Sequence, residues 1–204
     1  MDVIYSMLEK GGIMIIPLIL TSVIGLALII QRALYLRRKK IIKPEIISFI
    51  RHIRNPSELE SSLDQLKQDG GPFYNIIMCG LKRRNRSRDE IKEAIIDQGR
   101  QEARGLERGL TVLETIAGIA PLMGLMGTVL GMIKVFQKVS EVGLGQTRAL
   151  SGGISEALIT TVFGLAIAIP ALVAYNYFTH RVEDLVLEIE KYSSEFLDRI
   201  TGKS

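Results

Sequence analysis

The chain has 204 residues, of which 47% are hydrophobic and 24% charged, with a net charge of +4 and a single cysteine. A mean hydropathy of +0.23 beside so much charge requires the apolar residues to be gathered in blocks, and one cysteine, Cys79, excludes a disulfide framework. The excess of basic residues does not read as nucleic-acid binding, because the run Lys82-Arg83-Arg84-Asn85-Arg86-Ser87-Arg88 has no interleaved aromatics and suits a solvated or lipid-headgroup-facing loop.

Residues 1–10 read as a short periplasmic segment. Gly11 to Ile30 contains no charged residue, which predicts a first transmembrane helix over 11–36, since a bilayer core needs about 20 apolar residues. A cleaved leader is not expected. The apolar run is longer than the ~7 to 15 residues of such a leader, Asp2, Glu9 and Lys10 stand where a basic cluster would, and no small-x-small cleavage site follows. Arg32, Arg37, Arg38, Lys39, Lys40 and Lys43 come next, and Arg100, Arg104 and Arg108 precede the second apolar block. By the positive-inside rule 37–111 is therefore a cytoplasmic helical loop and the N-terminus lies outside. Within the loop, Pro44 to Ile53, a segment from Asn55-Pro56-Ser57-Glu58 through Lys67, and Phe73 to Arg83 read as helices, with Gly70-Gly71-Pro72 as a break. Arg88 to Thr111 is expected to run straight into the second membrane helix, its Glu93, Glu102, Arg104, Glu107 and Arg108 giving mixed-charge faces.

Thr115 to Ile133 is again free of charge, and Ala149 to Thr179 contains only Glu156. These blocks predict a second transmembrane helix over 112–139, a short periplasmic turn over 140–150 and a third transmembrane helix over 151–178. The tail 179–204 returns to the cytoplasm as an amphipathic helix whose Val182, Leu185, Val186, Ile189, Phe196, Leu197 and Ile200 recur at three- and four-residue steps. That stripe needs a partner, either Arg88 to Thr111 or a neighbouring subunit. The fold class is all-α: an integral membrane protein with three transmembrane helices and long helices extending into the cytoplasm.

The third apolar block holds the chemistry. A bare carboxylate in hydrocarbon costs at least ~2.5 kcal/mol, so Glu156 must be neutral, partnered or facing water, and each option suggests proton or ion handling. If Gly143-Leu144-Gly145 is the symmetry point of a hairpin, residues whose numbers sum to about 289 lie at equal depth, which levels Thr128 with Thr161 within roughly 5 Å of the midplane. Each hydroxyl also has a plain structural reading, a hydrogen bond back to the preceding turn. Glu156 has one as well: a carboxylic acid bonded to Thr160 one turn away. Ala117, Ala120, Gly124, Gly127 and Gly131 form a small-residue stripe that reads as close helix packing in lipid. No metal-ligand pair, phosphate loop or nucleophile motif is present, so neither an enzyme nor a cofactor is expected.

Ala120-Pro121-Leu122-Met123-Gly124-Leu125-Met126-Gly127-Thr128-Val129-Leu130-Gly131-Met132 resembles the corresponding helix of the ExbB/TolQ family, within the MotA/TolQ/ExbB proton channel superfamily. So do Gly153-Ile154-Ser155-Glu156-Ala157-Leu158, Thr161, Gly164-Leu165 and Ala168-Ile169-Pro170-Ala171. The chain is most like ExbB; MotA-type stators have four spans, so three point to the ExbB/TolQ branch. It departs from many relatives at Leu130, Thr160 and Phe163, where they place an aromatic and two small residues. The resemblance implies a homo-pentamer in the bacterial inner membrane around the single-span helices of an ExbD- or TolR-like partner dimer. In that family proton flow, with protons as the coupling ion and no cofactor, is coupled to motion of the assembly, rotation being expected. The work passes to a TonB- or TolA-like protein. Carried over by motif, Glu156, Thr128, Thr161 and Thr160 would line the proton pathway, with Gly124, Gly127, Gly131, Gly164, Pro121 and Pro170 serving helix packing. A TolQ-type envelope-maintenance subunit, a passive scaffold and a gated channel without mechanical output stay open as alternatives.

Overall fold

The computed structural model of the chain describes residues 13–52, 70–142 and 147–202, of which His52, Val142, residues 147–150 and Glu156 are described in backbone only. These residues form seven helices and no strand: α1 (Ile15–Tyr35), α2 (Arg38–Ile41), α3 (Pro44–His52), α4 (Gly71–Lys82), α5 (Arg88–Glu107), α6 (Leu110–Val142) and α7 (Thr147–Ile200). The helix expected after Asn55, and the turn around Gly143-Leu144-Gly145, lie outside the described residues. Three helical stretches are long and apolar enough to cross a membrane, one in α1, one in α6 and one in α7. An α-helix satisfies its own backbone, which is why an apolar run in lipid takes this form.

The chain divides into two compact units: Met1–Gln31 with Gly109–Asn176, and Arg32–Arg108 with Tyr177–Ser204. The first contains most of α1, all of α6 and the leading part of α7. Its core is small: Leu18, Ala120 and Ala168 are buried, with Met123, Phe163 and Ile167 packed on them. Most of its large apolar side chains point outward, Ile16, Leu20, Leu122, Leu125, Val162 and Val173 among them. The second unit is built the other way round, with Ile41, Ile46, Phe73, Ile77, Leu81 and Phe196 almost wholly enclosed. Here α4 packs against α5. A Cβ on Gly80 would fall within 2.8 Å of the Phe196 ring and 3.0 Å of Ile95, so a glycine sits where side chains of three helices converge.

Local signals fix the helix ends. Ser87 caps α5 by accepting a hydrogen bond from the Glu90 backbone N–H (3.3 Å), while Glu90 accepts one from the Ser87 N–H (3.2 Å). At the start of α4, Gly71 has φ +69°, and a Cβ there would sit 2.5 Å from the Lys40 carbonyl oxygen, so Gly70-Gly71-Pro72 opens this helix two residues before Phe73. The expected unbroken helix from Arg88 into the second span is corrected. Between α5 and α6, Arg108 is extended (φ −55°, ψ 127°) and Gly109 takes φ +88°, the left-handed region that a glycine enters without Cβ strain. In contrast α7 continues for 54 residues straight through Pro170.

The amphipathic stripe of the tail finds its partner within the chain. Val182, Leu185, Ile189, Phe196 and Leu197 are buried, and the Tyr192 ring lies 6.2 Å from that of Phe73 in α4. Ion pairs bracket this packing: Arg38 with Glu188, Arg88 with Asp198 (2.7 Å) and Arg51 with Glu195 (3.6 Å).

Candidate functional site

The two motif-bearing helices meet along a seam of small residues. On α6 the seam is Ala120, Gly124, Gly127 and Gly131; on α7 it is Gly153, Ala157, Thr160, Gly164 and Ala168. A Cβ on Gly124 would come 3.0 Å from the Thr160 carbonyl oxygen and 3.1 Å from the Thr161 Cα; one on Gly131 would come 2.9 Å from the Ala157 Cβ. One on Gly164 would strike the Ala120 carbonyl oxygen at 2.6 Å, and one on Gly127 would enter the space of the Thr160 side chain. Residues facing each other in these contacts run antiparallel, close to the register expected for a hairpin. The small stripe on α7 repeats at three- and four-residue steps, as the one on α6 does, so Gly153 and Ala157 were readable as its complement.

The three threonines occupy different environments. Thr160 is 1% exposed, faces Gly127 and donates to the Ala157 carbonyl (2.7 Å). It therefore sits in the helix seam, where the glycine opposite leaves room for its side chain. Thr128 is half-buried and donates to the Leu125 carbonyl (2.6 Å). That is the back-bond to the preceding turn, closed to the third carbonyl upstream. Thr161 is also half-buried, and among the described residues its hydroxyl makes no hydrogen bond. Glu156 belongs to α7, one turn before Thr160; its side chain lies outside what is described. Pro121 stands inside α6, half-buried, and Pro170 inside α7, exposed. Among the described residues no group of three or more His, Cys, Asp or Glu is placed to hold a metal ion.

Residues 68–191, which include this seam and all three threonines, match the MotA/TolQ/ExbB proton channel family. The chain belongs to that family. As a member of the MotA/TolQ/ExbB proton channel family it is a membrane protein, and its all-helical build with three apolar helices agrees. It is similar to a protein of Methanothermobacter thermautotrophicus described only as an ExbB homologue, at 30% identity across 92% of this chain and 67% of that one. It is 33% identical to an ExbB-like protein of Synechocystis, across 82% of this chain and 81% of the relative. The Tol-Pal system protein TolQ of Pseudomonas aeruginosa is 35% identical across 65% of this chain and 53% of its own length. The seam lies within the matched family segment, and the first helix, α1, lies before it.

Proposed function

We propose that the chain is the proton-conducting stator subunit of a bacterial inner-membrane motor driven by the proton-motive force. In this reading five copies surround an ExbD-like single-span partner, and the work done energises TonB-dependent outer-membrane transport. The observation that supports it most directly is Thr161, a hydroxyl near mid-span with no hydrogen bond among the described residues, beside a Thr160 that is fully packed. A membrane hydroxyl left open on a half-buried face is suited to a carboxyl group brought by another chain, because in lipid the alternative for both is an unsatisfied polar atom. Glu156 lies on the same helix and supplies the ionisable group. A proton crossing ~100 mV releases about 2.3 kcal/mol, which is enough to bias a two-state element. The reading assigns the chain no enzymatic step and no cofactor.

The orientation in this reading has a periplasmic N-terminus and a cytoplasmic C-terminus, from the basic residues that follow α1 and precede α6. The ExbB reading is preferred over the TolQ one because the continuous Gly153-Ile154-Ser155-Glu156-Ala157-Leu158 segment resembles ExbB more closely. The test is to extract the complex from its own membrane in mild detergent and weigh it intact by native mass spectrometry. Five copies with a single-span, aspartate-bearing partner are expected, and a TonB-like or TolA-like chain in the same preparation separates the branches. A homo-oligomer with no such partner would overturn the motor reading in favour of a channel or scaffold.

A further inference from the structure

Arg32, in the last turn of α1, is 6% exposed, and among the described residues no carboxylate pairs with it. Its Nη1 donates to the Leu106 carbonyl at 3.4 Å, the guanidinium stands 5.5 Å from the centre of the Tyr35 ring, and its buried Nε has no hydrogen-bond partner. Among the described residues a like charge acts on it, that of the exposed Arg108. A helix C-terminus supplies only about half a negative charge, and an aromatic face less, so among the described residues neither guanidinium has a full counter-charge. Burying an unpaired ion is costly enough that proteins rarely do so without a bound partner.

We propose that Arg32 and Arg108 form a binding site for a phosphate group, supplied by the headgroup of an anionic phospholipid. Guanidinium groups bind phosphate through short, charge-assisted hydrogen bonds, often two at once. The lipid source follows from position. Arg32 closes an apolar helix whose half-buried Leu28 and Ile29 share its face one turn nearer the membrane, so the acyl chains of a lipid would meet apolar surface next to its headgroup. The inference rests on the membrane-spanning character of α1 and is independent of motor activity.

The experiment is to titrate the detergent-extracted complex with short-chain phosphatidylglycerol, with diacylglycerol of the same chain length, and with inorganic phosphate, counting bound copies by native mass spectrometry. One tightly held phosphatidylglycerol per protomer is expected, with no comparable retention of diacylglycerol. Arg32→Gln and Arg108→Gln should each weaken retention about fivefold, the effect of one basic residue at an anionic surface. Arg108 is exposed, so its variant folds even where the loss of Arg32 disturbs α1, and it reports on the site alone. Unchanged retention in the Arg108→Gln protein would overturn the proposal. Displacement of the lipid by inorganic phosphate at equal concentration would overturn the lipid source and assign the site to a free anion.

Discussion

Three threonines within one membrane hairpin have three different fates, and neighbours a turn away decide each of them. Thr160 faces a glycine and closes its hydroxyl on the Ala157 carbonyl; Thr128 closes on the Leu125 carbonyl; Thr161 has its hydroxyl open among the described residues. Removing an open hydroxyl costs whatever it bonds in the working complex, whereas removing a back-bonded one costs little because the carbonyl keeps its helical partner. Thr161→Val should therefore slow gradient-driven uptake by about three- to tenfold, the span of one interhelical hydrogen bond in a membrane. Thr128→Val should change it less. Equal loss from both in a side-by-side uptake assay would show that back-bonding does not sort these residues. Glu156→Gln keeps shape and removes the titration, so coupled uptake should be lost while the amount of complex in the membrane stays unchanged.

At the scale of the element, the pairing of α6 and α7 depends on backbone atoms that cannot swing aside. A methyl group on Gly164 would meet the Ala120 carbonyl oxygen, whereas one on Gly118 or Gly152 would meet nothing within 4 Å. Overpacking a tight contact costs about 1–3 kcal/mol. Gly164→Ala should lose about that much in detergent-denaturation midpoints, and Gly118→Ala should lose nothing. In α5, Gly105 is likewise open, and Gly105→Ala should stabilise its helix by up to about 1 kcal/mol through propensity alone. The break at Arg108 and Gly109 belongs to this scale too. Charge periodicity continues across it, so the pattern alone predicts one helix, while the positive φ of Gly109 is a local backbone choice.

Over the whole molecule, the two units are built for different solvents. In the first, large apolar side chains are exposed because lipid holds them as readily as a protein core would; in the second they are enclosed because water does not. Val173 (63%) and Leu187 (64%) are equally exposed, yet they stand in different units on the same helix. Val173→Asp should oppose membrane insertion by up to about 2.5 kcal/mol, less than at the centre of the span, while Leu187→Asp should change stability by no more than about 0.5 kcal/mol. Accumulation of both variants in the membrane at wild-type levels would refute that division. The second unit also carries an acid dependence. Arg38 shares its Nε–H between the two carboxylate oxygens of Glu188 (2.9 and 3.0 Å) and donates from Nη2 to Oε1, and this holds the Glu188 carboxyl below its ordinary range. A depressed carboxylate stabilises the fold above its unfolded pKa, and that contribution disappears as pH falls from about 4.5 through the lower folded value. The pair is partly exposed, so the loss should stay under about 1 kcal/mol, and Glu188→Gln should abolish that part of the acid sensitivity in thermal melts.

The sequence by itself determined the three apolar helices, the small stripe on α6 and the family likeness, because span length, hydropathy blocks and glycine spacing are local properties of a chain. It also placed the antiparallel register of α6 and α7 closely, since a short turn between two equal spans leaves little freedom. Only the tertiary structure decided that Thr160 belongs to the seam and that the tail stripe packs on the chain's own α4. It alone put Arg32 in a buried position rather than among the flanking cations that set topology. The reason is physical: periodicity says which residues share a face, but which residue lies opposite is set by where another segment, far away in sequence, comes to rest.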